Sequence, residues 1–85
     1  MDGYSVLIRR SAEKEIGRLP AAIRGLLVRR ILALRDEPRP HGSRRLSGRD
    51  GHRIRQGEYR VVYTIDDAAR VVTVVRVAHR SDVYR

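Results

Sequence analysis

His52-Arg53-Ile54-Arg55-Gln56-Gly57-Glu58-Tyr59-Arg60-Val61-Val62-Tyr63-Thr64-Ile65 carries the pattern that decides the fold. Ile54 stands between Arg53 and Arg55, and Tyr59, Val61, Tyr63 and Ile65 recur at every second position. A period of two places alternate side chains on opposite faces of a strand. The segment therefore reads as two strands, His52 to Gln56 and Tyr59 to Ile65, joined by a tight turn at Gly57-Glu58. Asp66 to Arg70 turns the chain again. Val71 to Arg80 is the longest strand, and its apolar character on both faces marks it as interior.

Upstream the period changes. Tyr4 to Arg9 (YSVLIR) is a short strand rich in β-branched and aromatic residues. Ser11 reads as the N-cap of a helix, with Glu13 and Glu15 in its first turn, where the helix dipole favours acids. Ala12, Ile16 and Leu19 share one face of it. Pro20 opens a second helix, to about Glu37, with Ile23, Leu26, Leu27, Ile31 and Leu34 on one stripe. Pro38 ends it. Pro38 to Gly51 (PRPHGSRRLSGRDG) reads as a loop anchored by Leu46. The order is β-α-α-β-β-β. It predicts an α+β fold in which a helical hairpin packs on one face of a curved, mainly antiparallel four-stranded sheet. Residues 1–85 are expected to form one domain.

The chain of 85 residues has a formal net charge of +9, from 19 basic and 10 acidic side chains. Residues 1–38 carry eight basic and five acidic residues, and residues 39–85 carry eleven and five. The excess of cations thus falls where the later strands lie, and a negatively charged counterpart is expected: nucleic acid, an acidic protein, or both. The absence of cysteine excludes disulfides, thiolate metal sites and a cysteine nucleophile. His41 and His52 show no metal-ligand spacing with other residues, so no metal or cofactor is expected. No apolar run reaches transmembrane length, and Met1-Asp2-Gly3-Tyr4 lacks the regions of a signal peptide. A cytoplasmic protein with no membrane contact is the expectation.

Alternation also sorts the cations. With Ile54, Tyr59, Val61 and Tyr63 towards the helices, Arg53, Arg55 and Arg60 face the other way, onto a surface with no helix to cover it. Arg80 and Arg76 share one parity on the last strand and can join them. Arginines on an exposed strand face are often simply solvated. Several converging on one surface repel one another, and phosphate is the anion whose oxygens the guanidinium fork fits.

At these residues the sequence resembles a known family. His52 to Tyr63 is similar to the central segment of RelE-type toxins. Val74-Val75-Arg76-Val77-Ala78-His79-Arg80-Ser81-Asp82-Val83-Tyr84 resembles their last strand and tail, and Pro38, Gly42 and Leu46-Ser47-Gly48 resemble the loop before the first segment. The resemblance to the RelE/ParE superfamily of type II toxins covers almost the whole chain. It implies an endoribonuclease, an mRNA interferase acting in the ribosomal A site, in which the RNA 2′-hydroxyl is the attacking group. Arg60 then falls at the phosphate-binding arginine, Arg80 at a basic residue assisting the leaving group, and Tyr84 at a tyrosine that stacks on or orients a base. Arg53 and Arg55 fall at basic positions of the central strand, and Arg45 and Arg76 extend the RNA-binding set. An acidic RelB-like antitoxin in a hetero-oligomer is the implied partner, beside the ribosome and mRNA.

One departure bears on mechanism. Relatives often have lysine at the positions of Arg53 and Arg55, and arginine, with a pKa above roughly 12, is no useful general base. His79, His52 or Tyr84 then moves the proton, or the reaction rests on electrostatics and positioning. ParE-type toxins share the fold, lack the nuclease residues and poison DNA gyrase. That is the alternative function. A non-enzymatic nucleic-acid-binding module is a third.

Overall fold

The computed structural model describes residues 3–82. Its elements run β1 (Ser5–Ile8), α1 (Arg10–Gly17), α2 (Ala21–Ala33), β2 (Arg44–Arg45), β3 (His52–Gln56), β4 (Tyr59–Asp66) and β5 (Val71–His79). The strands form one five-stranded sheet in the order β1-β5-β4-β3-β2. β2 to β5 pair antiparallel, and β1 lies parallel to β5. The expected four strands are therefore five. The added one, Arg44–Arg45, lies in the segment read as a loop and pairs with Arg53 and His52. Two consecutive arginines have no apolar alternation to announce a strand. They are held in register by the next link of chain, where the Leu46 N–H donates to the Gly51 carbonyl at 2.9 Å. Gly51 has φ +128, and a Cβ there would lie 3.2 Å from the Tyr63 carbonyl oxygen, so this crossing needs glycine.

The β3–β4 hairpin forms as the sequence predicts. Gln56 faces Tyr59 across the Gly57-Glu58 turn. Gly57 has φ +60, the arrangement of a two-residue turn with glycine first, whose twist matches the strands. β5 holds an irregularity. Val62 is in register with Arg76 but Tyr63 with Val74, which leaves Val75 as an extra residue. Alternation flips there. Val72, Val74 and Val77 are all buried, although Val77 breaks the even-numbered series.

The helices pack on one sheet face. Ala12, Ile16, Leu27, Ile31 and Leu34 meet Ile54, Val61, Tyr63, Val72, Val74 and Val77 in the main core, with Ile23 and Tyr59 packed against it. Leu26, expected on the buried stripe, is 43% exposed. α1 begins one residue before the position Ser11 was expected to cap. Arg9, in extended conformation, is the N-cap, and its carbonyl accepts the Glu13 N–H at 2.9 Å. α2 closes at Ala33 rather than Glu37, because the following N–H groups of Leu34, Arg35 and Asp36 bond three residues back and tighten the chain.

Two side-chain ties fix the ends of these elements. The buried Tyr63 hydroxyl donates to the Pro38 carbonyl at 2.7 Å, locking the exit of α2 to β4. Asp67, in the β4–β5 turn, accepts from the Tyr4 hydroxyl at 2.6 Å and from both terminal nitrogens of Arg39 at 3.2 and 2.9 Å. The Arg39 and Tyr4 hydrogen bonds lower the Asp67 carboxyl to about 2 from an ordinary 3.8.

Tyr63→Phe leaves a buried carbonyl unpaired and is expected to destabilise the fold by about 1–3 kcal/mol, read as a lower urea midpoint. The folded chain holds a proton on Asp67 less readily than the unfolded chain. Its stabilising share is therefore complete above pH 3.8 and is lost as pH falls through about 2. Denaturant titrations should show wild type above Asp67→Asn at neutral pH, and the gap should close over that acid range.

Candidate functional site: an arginine-lined open sheet face

No described helix covers the second face of the sheet. Its centre is a small apolar floor in which Leu46 and Val62 are buried, with Val75 and Ala78 packed beside them. The arginines stand around this floor because the strand registers bring them there. Arg44 is opposite Arg53, Arg53 opposite Val62, and Val62 opposite Arg76. One row along, Arg55 is opposite Arg60 and Arg60 opposite Ala78. Neighbouring strands lie about 4.8 Å apart, so these guanidiniums share one surface.

Arg53, Arg60, His79, Arg80 and Ser81 line one open pocket. Four of the residues singled out in the sequence thus meet there. Arg53 also lines a second pocket with Arg44, Arg45, Leu46, Ser47 and Arg49, which makes it the link between the two. Its Nη1 is buried without a hydrogen-bond partner. A desolvated, unpaired guanidinium nitrogen is costly to bury. Arg60 folds back over the hairpin turn, its Nη1 donating to the Gly57 and Tyr59 carbonyls at 3.3 and 3.2 Å. Arg55 is exposed at the end of β3, whose main chain and Gln56 are held by Arg30 of α2.

His79 is held on three sides. Its Nδ1 lies 2.9 Å from Ser81 Oγ and accepts the Ser81 N–H at 3.2 Å, which leaves the ring proton of the neutral form on Nε2. Tyr59 packs against the ring edge-on at 5.6 Å. Glu58 Oε2 stands 3.9 Å from Nε2. The same oxygen accepts from Arg80 Nε at 2.5 Å, and the Arg80 N–H donates to the Glu58 carbonyl at 2.7 Å. Sequence reading placed Glu58 only in a turn. The signal was in the hairpin itself, since a residue at the β3–β4 turn must lie beside the end of the strand that follows β4.

Other candidates lie elsewhere. Arg76 shares the open-face parity but turns to the sheet edge, 3.7 Å from Glu15 Oε2. Glu15 was read as a charge of the first helical turn. It instead reaches past α1 to accept the Val77 N–H at 2.9 Å, where β1 has ended and β5 has no strand on that side. Arg45 lines the second pocket and a third with Arg39, Asp50, Gly51, His52, Thr64 and Ile65. His52 stacks on Tyr63 at 5.8 Å, apart from the His79 pocket. Burial first, then Arg39 and Arg45, lowers its pKa below the ordinary 6.5. Tyr84 lies outside the described residues.

Comparison with known proteins bears on the family and the fold. Residues 6–84 match the family described as ParE toxin of type II toxin-antitoxin system, parDE. The toxin RelE of Mycobacterium tuberculosis is 36% identical over 84 residues, 96% of this chain and 87% of that one. The toxin–antitoxin complex RelBE2 of the same organism contains a chain of 30% identity with a TM-score of 0.81, covering 92% of this chain and 99% of that one. The archaeal RelE–RelB complex of Pyrococcus horikoshii OT3 gives 27% identity and 0.83, over 96% and 99%. With the family matched from β1 to the tail and the same architecture in solved relatives, this chain belongs to the RelE/ParE superfamily of type II toxins.

Proposed function

We propose that this toxin is an mRNA endonuclease that cuts messages held on the ribosome and so arrests translation. The observation that carries the reading is the meeting of Arg53, Arg60, His79 and Arg80 in one open pocket on an uncovered sheet face. Phosphodiester cleavage by the neighbouring 2′-hydroxyl builds negative charge on the phosphorane oxygens, and preorganised guanidiniums aimed at that charge lower the barrier. Arg60 and Arg53 hold the scissile phosphate. Arg80 stabilises charge on the departing oxygen. Arg55 and Arg45 contact the flanking RNA backbone, Arg76 extends that surface at the sheet edge, and Tyr84 stacks on a base. The chain acts in the cytoplasm, where its substrate is.

An acidic RelB-like antitoxin is the partner this surface calls for, as a segment that covers the arginines in a hetero-oligomer. Two of the solved relatives are described as complexes with antitoxins, and a net charge of +9 demands a counterpart of opposite sign.

The family description matched by residues 6–84 names ParE, and this favours one second reading, a gyrase poison without nuclease activity. One preparation separates the two. Programmed ribosomes should yield mRNA cut to a 2′,3′-cyclic phosphate end, with little cutting of RNA alone, because the ribosome supplies the alignment of 2′-hydroxyl and phosphate. Intact mRNA together with trapped gyrase–DNA complexes decides for the second reading.

Arg60→Ala and Arg80→Ala should each reduce cleavage about a hundredfold or more. Both side chains lie outside the buried core, so circular dichroism should show an unchanged fold. Growth arrest should weaken in parallel when the variants are expressed.

A further inference from the structure

A cleavage site built of guanidiniums lacks a group to take the proton from the attacking hydroxyl. Arg53, Arg60 and Arg80 stabilise charge but cannot accept that proton. His79 cannot both remove it and protonate the leaving oxygen in one step. A carboxylate beside the pocket meets the need. Glu58 Oε2 lies 3.9 Å from His79 Nε2 and is bonded to Arg80 Nε. It is exposed, and so reachable by RNA.

We propose that Glu58 is the general base of this site. The inference rests on the nuclease reading above. The Glu58 carboxylate takes the proton from the 2′-hydroxyl as O2′ bonds to phosphorus. The bond from phosphorus to the 5′-oxygen breaks, and that oxygen takes a proton from the His79 imidazolium at Nε2. The products are a 2′,3′-cyclic phosphate and a 5′-hydroxyl, with Glu58 protonated and His79 neutral. Solvent then restores both.

The geometry suits the two roles. In the imidazolium Nδ1 donates to Ser81 Oγ at 2.9 Å, so Nε2 is the nitrogen turned to the carboxylate and the pocket. Only Nε of Arg80 is engaged by Glu58 among the described contacts, which leaves its outer nitrogens for phosphate oxygens. The charged groups on the elements around the carboxylate and His79 are Arg80 and Asp82 just past β5, Arg60 of β4, Arg55 of β3, Arg30 of α2 at the same hairpin, and Arg76, Glu15 and Arg18 on the far side of the His79 ring. Apart from the His79 ring itself and the Asp82 and Glu15 carboxylates these groups are guanidiniums. As a plain surface ion pair the Glu58–Arg80 contact adds little stability. The proposed role is therefore chemical.

The test is cleavage of mRNA on programmed ribosomes across pH, with wild type, Glu58→Gln, Glu58→Asp and His79→Gln. Glu58→Gln keeps an oxygen acceptor for Arg80 Nε and removes the basicity. It should lower kcat about a hundredfold or more with KM little changed, and it should abolish the fall in rate on the acidic side. Glu58→Asp should retain that acidic limb at an intermediate rate. His79→Gln should abolish the basic limb instead. A Glu58→Gln enzyme with the wild-type rate and both limbs overturns the assignment, as does a loss confined to KM with the acidic limb intact. If wild type leaves ribosome-bound mRNA uncut, the nuclease reading itself fails. If wild type cuts and Glu58→Gln cuts equally well, only the role of Glu58 fails.

Discussion

The extra residue at Val75 is the constraint on which the open face depends. Up to Val74, even-numbered side chains of β5 point into the core. Were the strand regular, Arg76, Ala78 and Arg80 would follow Val72 and Val74 under the helices, and unpaired guanidiniums in an apolar core would cost several kcal/mol each. Inserting Val75 between the partners of Val62 and Tyr63 exchanges the faces. Val77 enters the core, Ala78 joins the floor beside Val62, and Arg80 reaches the hairpin turn. A bulge is the ordinary means by which a strand re-aims a side chain next to a site. Here one inserted residue makes the arginines of β3 and β4 neighbours of Arg80.

The same place solves an edge problem. β1 pairs with β5 only as far as Val74, so the bulged half of β5 has main-chain groups with no strand beside them. Glu15 fills part of the gap by accepting the Val77 N–H and standing by Arg76. A side chain from α1 thus does what another strand would do, and it blunts an edge that could pair with other chains. The cations themselves sit on paired strands, not on loops, so their spacing is set by strand separation and register. That rigidity is what the proposed transition-state stabilisation requires, since donors already in place lose little in reorganising when charge develops.

Much of this was legible in the sequence, because a period of two sorts faces without knowledge of the fold. Ile54, Val61 and Tyr63 went to the core and Arg53, Arg55 and Arg60 to the other side by alternation alone. The two helices, the hairpin and the interior position of the last strand were likewise readable. What escaped depends on register or on distant partners. Arg44–Arg45 becomes a strand only because β3 offers it an edge. The order Val74-Val75-Arg76-Val77 contains the flip, but two adjacent valines look the same in a regular strand buried on both faces. Glu15 and Glu58 bind β5 residues 62 and 22 positions away, and no local pattern encodes those meetings. Arg76 had the right parity and still stands beside Glu15, because beyond Val74 β5 has no described strand on its outer side and a long side chain can reach the rim.

Arginine in place of lysine at Arg53 and Arg55 changes what the rest of the site must supply. A lysine on this face can lose its proton and serve as a base, while an arginine contributes only positive potential. A face made wholly of fixed cations would hold any phosphate backbone without offering a proton acceptor. Glu58 counters this in two ways. Its negative charge lies against Arg80 and reduces the attraction for stray polyanions. Its carboxylate gives the proposed chemistry a proton acceptor that the arginines cannot be. The remaining barrier must then be lowered by alignment, and a substrate held rigidly elsewhere supplies that. On the proposed reading, a toxin so built is quiet towards free RNA and active where another body fixes the geometry.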